Sequence, residues 1–339
     1  MSTAWRRSRL VLALCIAPLF HGSASAGVNQ WTVIGPPASV QAMAADPQDD
    51  RVLYAAGFET VARTYDRGIT WSSTEIPGLA GPVAIRVAPS IPSTIYVLGF
   101  SNLFRSTSGG QSWVPRSIPS AVGFPNDLQV HATNADVIVV ACSNFCFFGC
   151  SGGGVYRSDN GGGTWRRIGL KDTNVYEIAL DPTNAQVVYA RTETNLFKTI
   201  NGGGSWKEIS LPASGVIHEV AVDPVIPTIV YAAADSGIFK SFDAGVSWTL
   251  IRPALYGSSV AIDPADSSSV LAAADGMIRS FDGGHTWQEL NAVAPGIQFN
   301  SLRQILIDGR FCYKVSDLVG RPGQILQYEI LQPRRRAAP

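Results

Sequence analysis

The sequence predicts an all-β fold built from repeated units of about 40 residues. Six similar octets recur along the chain, from residues 64–71 to residues 280–287, and each ends in tryptophan. Successive octet tryptophans lie 42, 52, 41, 42 and 39 residues apart, which is the length of a four-stranded propeller blade. Short β-rich runs separated by Gly, Pro, Asp and Asn predict antiparallel strands joined by tight turns.

The fifth unit shows how one repeat is organised. Its β-rich runs are residues 216–222, 229–234, 237–241 and 248–251. An Asp223-Pro224 turn separates the first two runs, and the octet separates the last two. Each unit is therefore predicted to hold four strands, with the octet as the turn between the third and the fourth.

The octets resemble Asp-box, or BNR, repeats, whose pattern is Ser/Thr-x-Asp-x-Gly-x-x-Trp. The units resemble the propellers of sialidases, sortilin-type receptors, xyloglucan-cleaving glycoside hydrolases and the photosystem II stability/assembly factor. This resemblance covers about residues 28–331. These families share the box and not a reaction, so the resemblance implies a fold rather than an activity.

The octets read as structural turns. The side chain at the third position accepts backbone N–H groups, glycine supplies positive φ, and tryptophan fills the layer between strands. The third positions are Asp66, Ser108, Asn160, Asn201, Asp243 and Asp282. The tryptophans are Trp71, Trp113, Trp165, Trp206, Trp248 and Trp287. We expect the second turn to be looser, because the Ser108 hydroxyl caps more weakly than a carboxylate.

The two ends of the chain complete one further unit. Residues 31–34 copy the strand that follows an octet but have no octet before them, and residues 302–330 offer three strand-like runs. The sequence therefore predicts a single seven-bladed β-propeller over residues 27–331, closed by the N-terminal strand, and a short basic tail at 332–339. Six blades with a separate tail is the alternative.

The first 26 residues have the pattern of a secretory signal. Three arginines between positions 6 and 9 precede an apolar run at 10–20 and an Ala-Ser-Ala sequence at 24–26. We therefore expect export, to the periplasm or outside the cell, with the mature chain starting at Gly27. An eleven-residue apolar run is too short to span a bilayer, so we expect no transmembrane anchor.

Composition favours one large sheet protein, with 46% apolar residues and 33 glycines. The chain has 26 basic and 26 acidic residues, and removal of the leader leaves 23 basic residues. This slightly acidic balance argues against nucleic-acid binding. We expect a monomer without a cofactor.

Four cysteines follow the leader, and Cys142, Cys146, Cys150 and Cys312 allow three full pairings. The first three lie in residues 141–154, an insertion that lengthens the third unit between its second and third strands. In an exported chain we predict a local disulfide between Cys142 and Cys150. No metal site is expected, because the cysteine spacing has no histidine near it.

Two glutamates are candidate catalytic residues. Glu177 and Glu219 take the same position early in the innermost strands of adjacent units, which converge on a central channel. They would serve as an acid/base pair, as ligands, or as polar lining of a hydrated channel. The cations Arg63, Arg105, Arg157, Lys198, Lys240 and Arg279 each precede a box. Their periodicity predicts a solvated strand position rather than a substrate-binding arginine triad.

Binding is expected on the face opposite the boxes, where long loops carry aromatic residues. The candidates there are Phe58, Glu59, Phe100, Phe145, Phe147, Phe148, Arg191, His218 and Tyr256. We interpret the chain as an exported, non-catalytic binding or assembly-factor-like propeller that recognises a protein or glycan. The alternative is an extracytoplasmic glycoside hydrolase, sialidase-like or xyloglucanase-like. Xyloglucan-type enzymes place their catalytic carboxylates between two propellers, whereas this chain holds one.

Overall fold

A computed structural model describes residues 31–36, 39–118, 123–144, 152–212, 215–290, 302–307, 311–318 and 321–329. These residues form strands, turns and bends and no helix, so the described chain is all-β. The signal segment, the basic tail, Phe145, Phe147, Phe148 and Cys150 lie outside the described residues. No helix within the described part of the chain could cross a membrane.

The described strands form seven four-stranded antiparallel sheets, which we number in chain order. The N-terminal strand β1 (Trp31–Val33) belongs to sheet 7. Sheet 1 contains β2 (Ala42–Ala45), β3 (Leu53–Gly57), β4 (Thr60–Thr64) and β5 (Ser72–Glu75). Sheet 2 contains β6 (Ala84–Val87), β7 (Ile95–Leu98), β8 (Leu103–Ser106) and β9 (Val114–Arg116). Sheet 3 contains β10 (Phe124–His131), β11 (Asn134–Ser143), β12 (Gly154–Ser158) and β13 (Arg166–Gly169).

The remaining sheets follow the same plan. Sheet 4 contains β14 (Glu177–Leu180), β15 (Val188–Arg191), β16 (Leu196–Thr199) and β17 (Lys207–Ile209). Sheet 5 contains β18 (Ile217–Val222), β19 (Val230–Ala234), β20 (Gly237–Ser241) and β21 (Thr249–Pro253). Sheet 6 contains β22 (Gly257–Asp263), β23 (Asp266–Ala274), β24 (Met277–Ser280) and β25 (Gln288–Glu289). Sheet 7 contains β26 (Leu302–Ile307), β27 (Phe311–Leu318), β28 (Arg321–Glu329) and β1.

The two ends of the chain meet in sheet 7. Strand β1 pairs antiparallel with β28, with Trp31 opposite Tyr328 and Val33 opposite Leu326. The first strands of successive sheets contact one another in chain order, and β26 of sheet 7 contacts β2 of sheet 1. The first strands therefore surround a common axis, and β1 lies at the outer edge of its sheet.

The apolar core lies between neighbouring sheets. Between sheets 2 and 3, for example, Tyr96 and Leu98 pack against Leu128 and Val140. The second and third strands are buried along both faces, because each sheet is covered by a neighbour on either side; β19 and β20 are buried throughout. The outer strands, such as β5, are mostly exposed. Polar function is therefore confined to the two ends of the sheets and to the axis.

The octets form closely similar turns between the third and fourth strands. In the fifth, the Ser247 amide donates to Asp243 Oδ1 at 2.8 Å, and the Gly245 amide donates to Ser241 Oγ at 2.8 Å. The glycine is required there because its φ is +87°. The second turn, predicted to be looser, keeps the bond from the Ser112 amide to Ser108 Oγ at 2.9 Å.

The cations that precede the boxes are not at a solvated position, and that prediction is wrong. Arg279 is fully buried, and Arg157 and Lys240 are buried as well. Their strand is covered by the next sheet, and the side chains reach across to it. Lys198 Nζ donates to the Ala244 carbonyl and Lys240 Nζ to the Gly283 carbonyl, each at 2.7 Å.

The disulfide predicted between Cys142 and Cys150 is not formed in the structure, where Cys142 carries a free thiol. Cys142 lies on β11, and its side chain points into the core between sheets 2 and 3 beside Leu128. Burial raises the pKa of this thiol. The side chain at this position fills the core, and the prediction took no account of the strand alternation that directs it inward.

Candidate functional site

The strand order gives the molecule two distinct ends. The boxes and the turns between first and second strands lie at one end, which we call the box end. The hairpins between second and third strands and the connections between sheets lie at the other, which we call the loop end. A channel of about 1110 Å³ follows the first strands and is lined by residues of sheets 1 to 6. This channel is the candidate site, because it collects polar side chains from several sheets.

Three acidic residues occupy equivalent positions near the loop end of the channel, and we call Asp127, Glu177 and Glu219 the acid row. Each accepts the backbone N–H of the next sheet's first strand. The bonds run from Ile178 N to Asp127 Oδ2 (3.1 Å), from Val220 N to Glu177 Oε1 (3.2 Å) and from Val260 N to Glu219 Oε2 (3.0 Å). Since neighbouring sheets share no backbone ladder, these carboxylates satisfy amides that would otherwise lack a partner.

The members of the acid row differ in their other partners. Arg86 Nη2 donates to Asp127 Oδ1 at 2.8 Å, and Arg191 Nε donates to Glu177 Oε2 at 2.9 Å. Glu219 instead accepts a hydrogen bond from the Ser259 hydroxyl. Two of the three carboxylates are therefore paired with an arginine, and the third is held by neutral donors.

Burial controls the protonation of the two glutamates. Burial first, and the charge of Glu219 second, raise the pKa of Glu177 to about 8, while Arg191 opposes the shift. Burial also raises the pKa of Glu219, against the hydrogen bonds from Ser259 and Val260. The two carboxyls therefore titrate as an interacting pair, and a proton is retained between them near neutral pH.

Aromatic side chains flank the channel at the loop end. The Arg191 guanidinium lies 5.7 Å from the centroid of the Tyr176 ring, and Arg191 Nη1 donates to the Ile217 carbonyl at 3.2 Å. On the next sheet, His218 Nε2 lies 2.7 Å from Asp235 Oδ1. The His218 ring packs against Tyr256, with the ring centroids 4.7 Å apart. Tyr176, Arg191 and His218 line the channel together with Glu177 and Glu219.

The other predicted binding residues lie at the loop end but fall into separate groups. Phe100 packs against Phe124 across sheets 2 and 3, with ring centroids 4.8 Å apart. Phe58 is 64% exposed in the hairpin between β3 and β4. Its neighbour Glu59 serves that turn, because it adopts a φ of +52° and its carbonyl accepts the Ile76 amide. Of the predicted residues, Glu177 therefore contacts Arg191, and His218 contacts Tyr256. Glu177 and His218 lie on adjacent sheets.

Sequence reasoning missed Asp127 and Arg86. Units were aligned on the Asp-Pro turn between first and second strands, and sheet 3 has no such turn: its β10–β11 hairpin passes through Ala132 and Thr133. The insertion after Ser143 also shifts the spacing to the box. Alignment on the buried residue that follows each acid, which is Leu128 in sheet 3, would have found the third member of the row.

No three His, Cys, Asp or Glu side chains within the described ranges form a group that could hold a metal ion. The channel lining offers carboxylates, arginines, a histidine and a tyrosine as its chemistry.

No protein-family model matches the chain, and no curated protein is similar to it. Among solved structures, YCF48 bound to a D1 peptide superposes with a TM-score of 0.66 at 18% identity, covering 90% of this chain and 98% of that one. YCF48 from Cyanidioschyzon merolae gives 0.66 at 15%, covering 88% and 99%. A GH74 xyloglucanase from Xanthomonas campestris gives 0.62 at 18%, covering 86% of this chain and 54% of the enzyme. These likenesses show a β-propeller fold.

Proposed function

We propose that this chain is an exported, seven-bladed binding propeller, closed by its N-terminal strand, that recognises a protein partner at the loop end and catalyses no reaction. Three contacts support the closed ring: β1 with β28, β26 with β2, and Trp71 Nε1 with the Ile34 carbonyl at 2.7 Å. Export rests on the leader pattern in the sequence.

The observation that carries the non-catalytic proposal is how the acid row is used. Glu177 has one oxygen on Arg191 Nε and the other on the Val220 amide. A general acid or a nucleophile needs an oxygen directed at the substrate, within hydrogen-bond reach of the reacting atom. Both oxygens of Glu177 hold the fold together instead, so Glu177 lacks the free oxygen that the acid of a glycosidase requires.

Binding is supported by apolar side chains exposed at the loop end. Phe58 is 64%, Phe100 48% and Tyr256 49% exposed, and all three belong to hairpins or connections at that end. Exposed aromatic residues are the anchors that dominate many interfaces. One of the similar structures, YCF48, holds a D1 peptide, which fits a propeller that binds an extended protein segment.

A glycoside hydrolase is the second candidate, and one observation favours it. The pKa of Glu177 is raised to about 8, so this residue holds a proton at neutral pH, as a general acid must. The GH74 xyloglucanase shares the fold. This chain, however, spans about half of that enzyme's length. The second carboxylate of this chain, Glu219, lies on the first strand of the neighbouring sheet and lines the same channel.

The test combines an activity screen with partner capture. Purified protein is assayed on aryl-glycosides, sialosides and β-glucans, and in parallel is used to capture partners from an envelope extract. We expect no turnover, and loss of protein capture when Phe58, Phe100 and Tyr256 are replaced by alanine. The matched control replaces three exposed apolar residues at the box end with alanine, and this variant should retain capture. These residues are Ile69, Ile200 and Val246.

Two results would overturn this proposal. Hydrolysis that disappears in a folded Glu177→Gln variant would identify a glycosidase, because removal of one acid from such a pair abolishes a whole step. Capture that is lost equally in both triple-alanine variants would remove the loop end as the binding surface. Capture of polysaccharide without protein would make the partner a glycan.

A further inference from the structure

Glu219 is the one member of the acid row without a cation. Asp127 is paired with Arg86 and Glu177 with Arg191, at 2.8 and 2.9 Å. Among the described residues no lysine, arginine or histidine lies within ion-pair distance of Glu219. All three carboxylates accept a backbone N–H of the next sheet. Two of them also form an ion pair with an arginine, whereas Glu219 does not.

The free oxygen of Glu219 faces the channel. Both of its hydrogen bonds, from Ser259 Oγ and Val260 N, end on Oε2. Oε1 receives no donor from the described part of the chain, and Glu219 lines the channel wall. Burial disfavours the charged form of Glu219 and Arg191 favours it without forming an ion pair with it, so a cation in contact with Oε1 would stabilise the carboxylate further.

The surroundings suit a cation on a flexible apolar stem. His218 and Tyr176 line the same channel as Glu219, and the His218 ring packs against Tyr256. Aromatic faces stabilise ammonium and guanidinium groups, and their edges accommodate methylene stems. The channel of about 1110 Å³ leaves room for such a side chain to enter from the loop end.

We propose that Glu219 anchors a subsite for an ammonium or guanidinium group, supplied by a lysine or arginine side chain of the partner segment. Glu219 Oε1 accepts the hydrogen bond of the cation, while Tyr176 and His218, which line the same channel, offer aromatic surface to its stem. The positive charge of Arg191 does not occupy the subsite, because Glu177 and the Ile217 carbonyl hold its guanidinium. This inference rests on the proposed function for the source of the cation, but not for the site itself.

The pH dependence of binding has a defined sign. The bound cation favours the charged form of Glu219, so binding releases protons and affinity rises with pH. Asp127, Glu177, Arg191 and His218 are the other charged or titratable groups that face this part of the channel. The Glu219→Gln variant separates the contribution of Glu219 from that of these groups.

The test uses the full chain and four probes: Nα-acetyl-lysinamide, Nα-acetyl-argininamide, the neutral Nα-acetyl-citrullinamide and butylamine. Binding is followed by NMR titration at pH 6 and pH 8. We expect the two cationic amino-acid probes to bind saturably, the citrulline probe to bind at least about tenfold more weakly, and affinity to rise with pH. Glu219→Gln should abolish the difference, whereas Glu75→Gln, on the exposed outer strand β5, should preserve it.

The comparison of charged with neutral probes needs no variant, so it stands even if Glu219→Gln fails to fold. Equal binding of the citrulline probe, no binding of any probe, or unchanged binding in a folded Glu219→Gln variant would each overturn the subsite. Butylamine that binds more tightly than the amino-acid probes would overturn the partner side chain as the source. Probe binding without any capture of protein would contradict the proposed function but would still support the subsite.

Discussion

The two ends of the sheets are built on different principles. At the box end, the hydrogen bond from the Gly245 amide to Ser241 Oγ in the fifth turn is repeated in the sixth by that from the Gly284 amide to Ser280 Oγ, and the bond lengths differ by 0.1 Å. At the loop end, one channel position carries an alanine in sheet 1, aspartate or glutamate in sheets 3 to 5, and Ser259 in sheet 6. The repeated box contacts serve the folding of every sheet. The channel position, where the residue differs between sheets, serves a task that belongs to one place in the molecule.

The box end also joins the sheets to one another. Lys240 Nζ and the Tyr231 hydroxyl both donate to the carbonyl of Gly283 in the next box, at 2.7 and 3.1 Å. Lys198 and Tyr189 repeat the arrangement on Ala244. In these two places a cation and a buried tyrosine therefore latch the next box to the sheet before it, a role that a solvated position would not allow.

The largest effect is expected from removing one latch completely. The double variant Lys240→Met with Tyr231→Phe leaves the buried Gly283 carbonyl without either donor, and such an unsatisfied group costs about 1–3 kcal/mol. Urea unfolding should show a loss of about 2–3 kcal/mol for the double variant and less for each single one. Lys207→Met, on the exposed face of β17, is the control. A double variant as stable as this control would show that the latch is incidental.

The fold was readable because it is repeated. Six octets gave the unit length and the position of the turn, and the fifth unit's predicted runs match β18 to β21 to within two residues at each end. Residues 31–34 resemble a strand that follows an octet but have no octet before them, and an open strand edge needs a partner. This predicted their pairing with the C-terminal strands, and β1 pairs with β28. Each of these inferences used a signal that recurs and was therefore distinguishable from chance.

The site was only partly readable, because its residues do not recur. Glu177 and Glu219 were found by alignment of adjacent units, but Asp127 was hidden by a turn of different sequence in sheet 3. The sequence also does not show which acid forms an ion pair, because the partners are far apart along the chain. Arg86 lies 41 residues before Asp127, and Arg191 lies 14 residues after Glu177. Pairing across sheets depends on packing, which no local pattern specifies.

The channel should make stability fall as pH rises, whereas the box aspartates, whose pKa values are lowered, make stability fall only at acid pH. The Glu177 pKa rises from its ordinary 4.5 to about 8 on folding, so the folded state holds the additional proton between those values. The free energy of unfolding should therefore fall as pH rises through this window. Glu177→Gln should flatten that slope, and Glu75→Gln should leave it unchanged in denaturant titrations at pH 5 and pH 8. An identical slope in both variants would place the titrating group elsewhere.

The smallest effect tests whether the boxes are as uniform in energy as in geometry. Trp206 Nε1 donates to the Ile168 carbonyl of the preceding sheet at 2.8 Å, whereas the buried Trp248 Nε1 has no acceptor among the described residues. Replacement by phenylalanine keeps an aromatic ring but removes the N–H. Trp206→Phe should therefore cost about 1 kcal/mol more than Trp248→Phe, since only the former loses a hydrogen bond and leaves a carbonyl unpaired. Equal losses in thermal unfolding would show that ring size, rather than the link between sheets, sets the contribution of the box tryptophan.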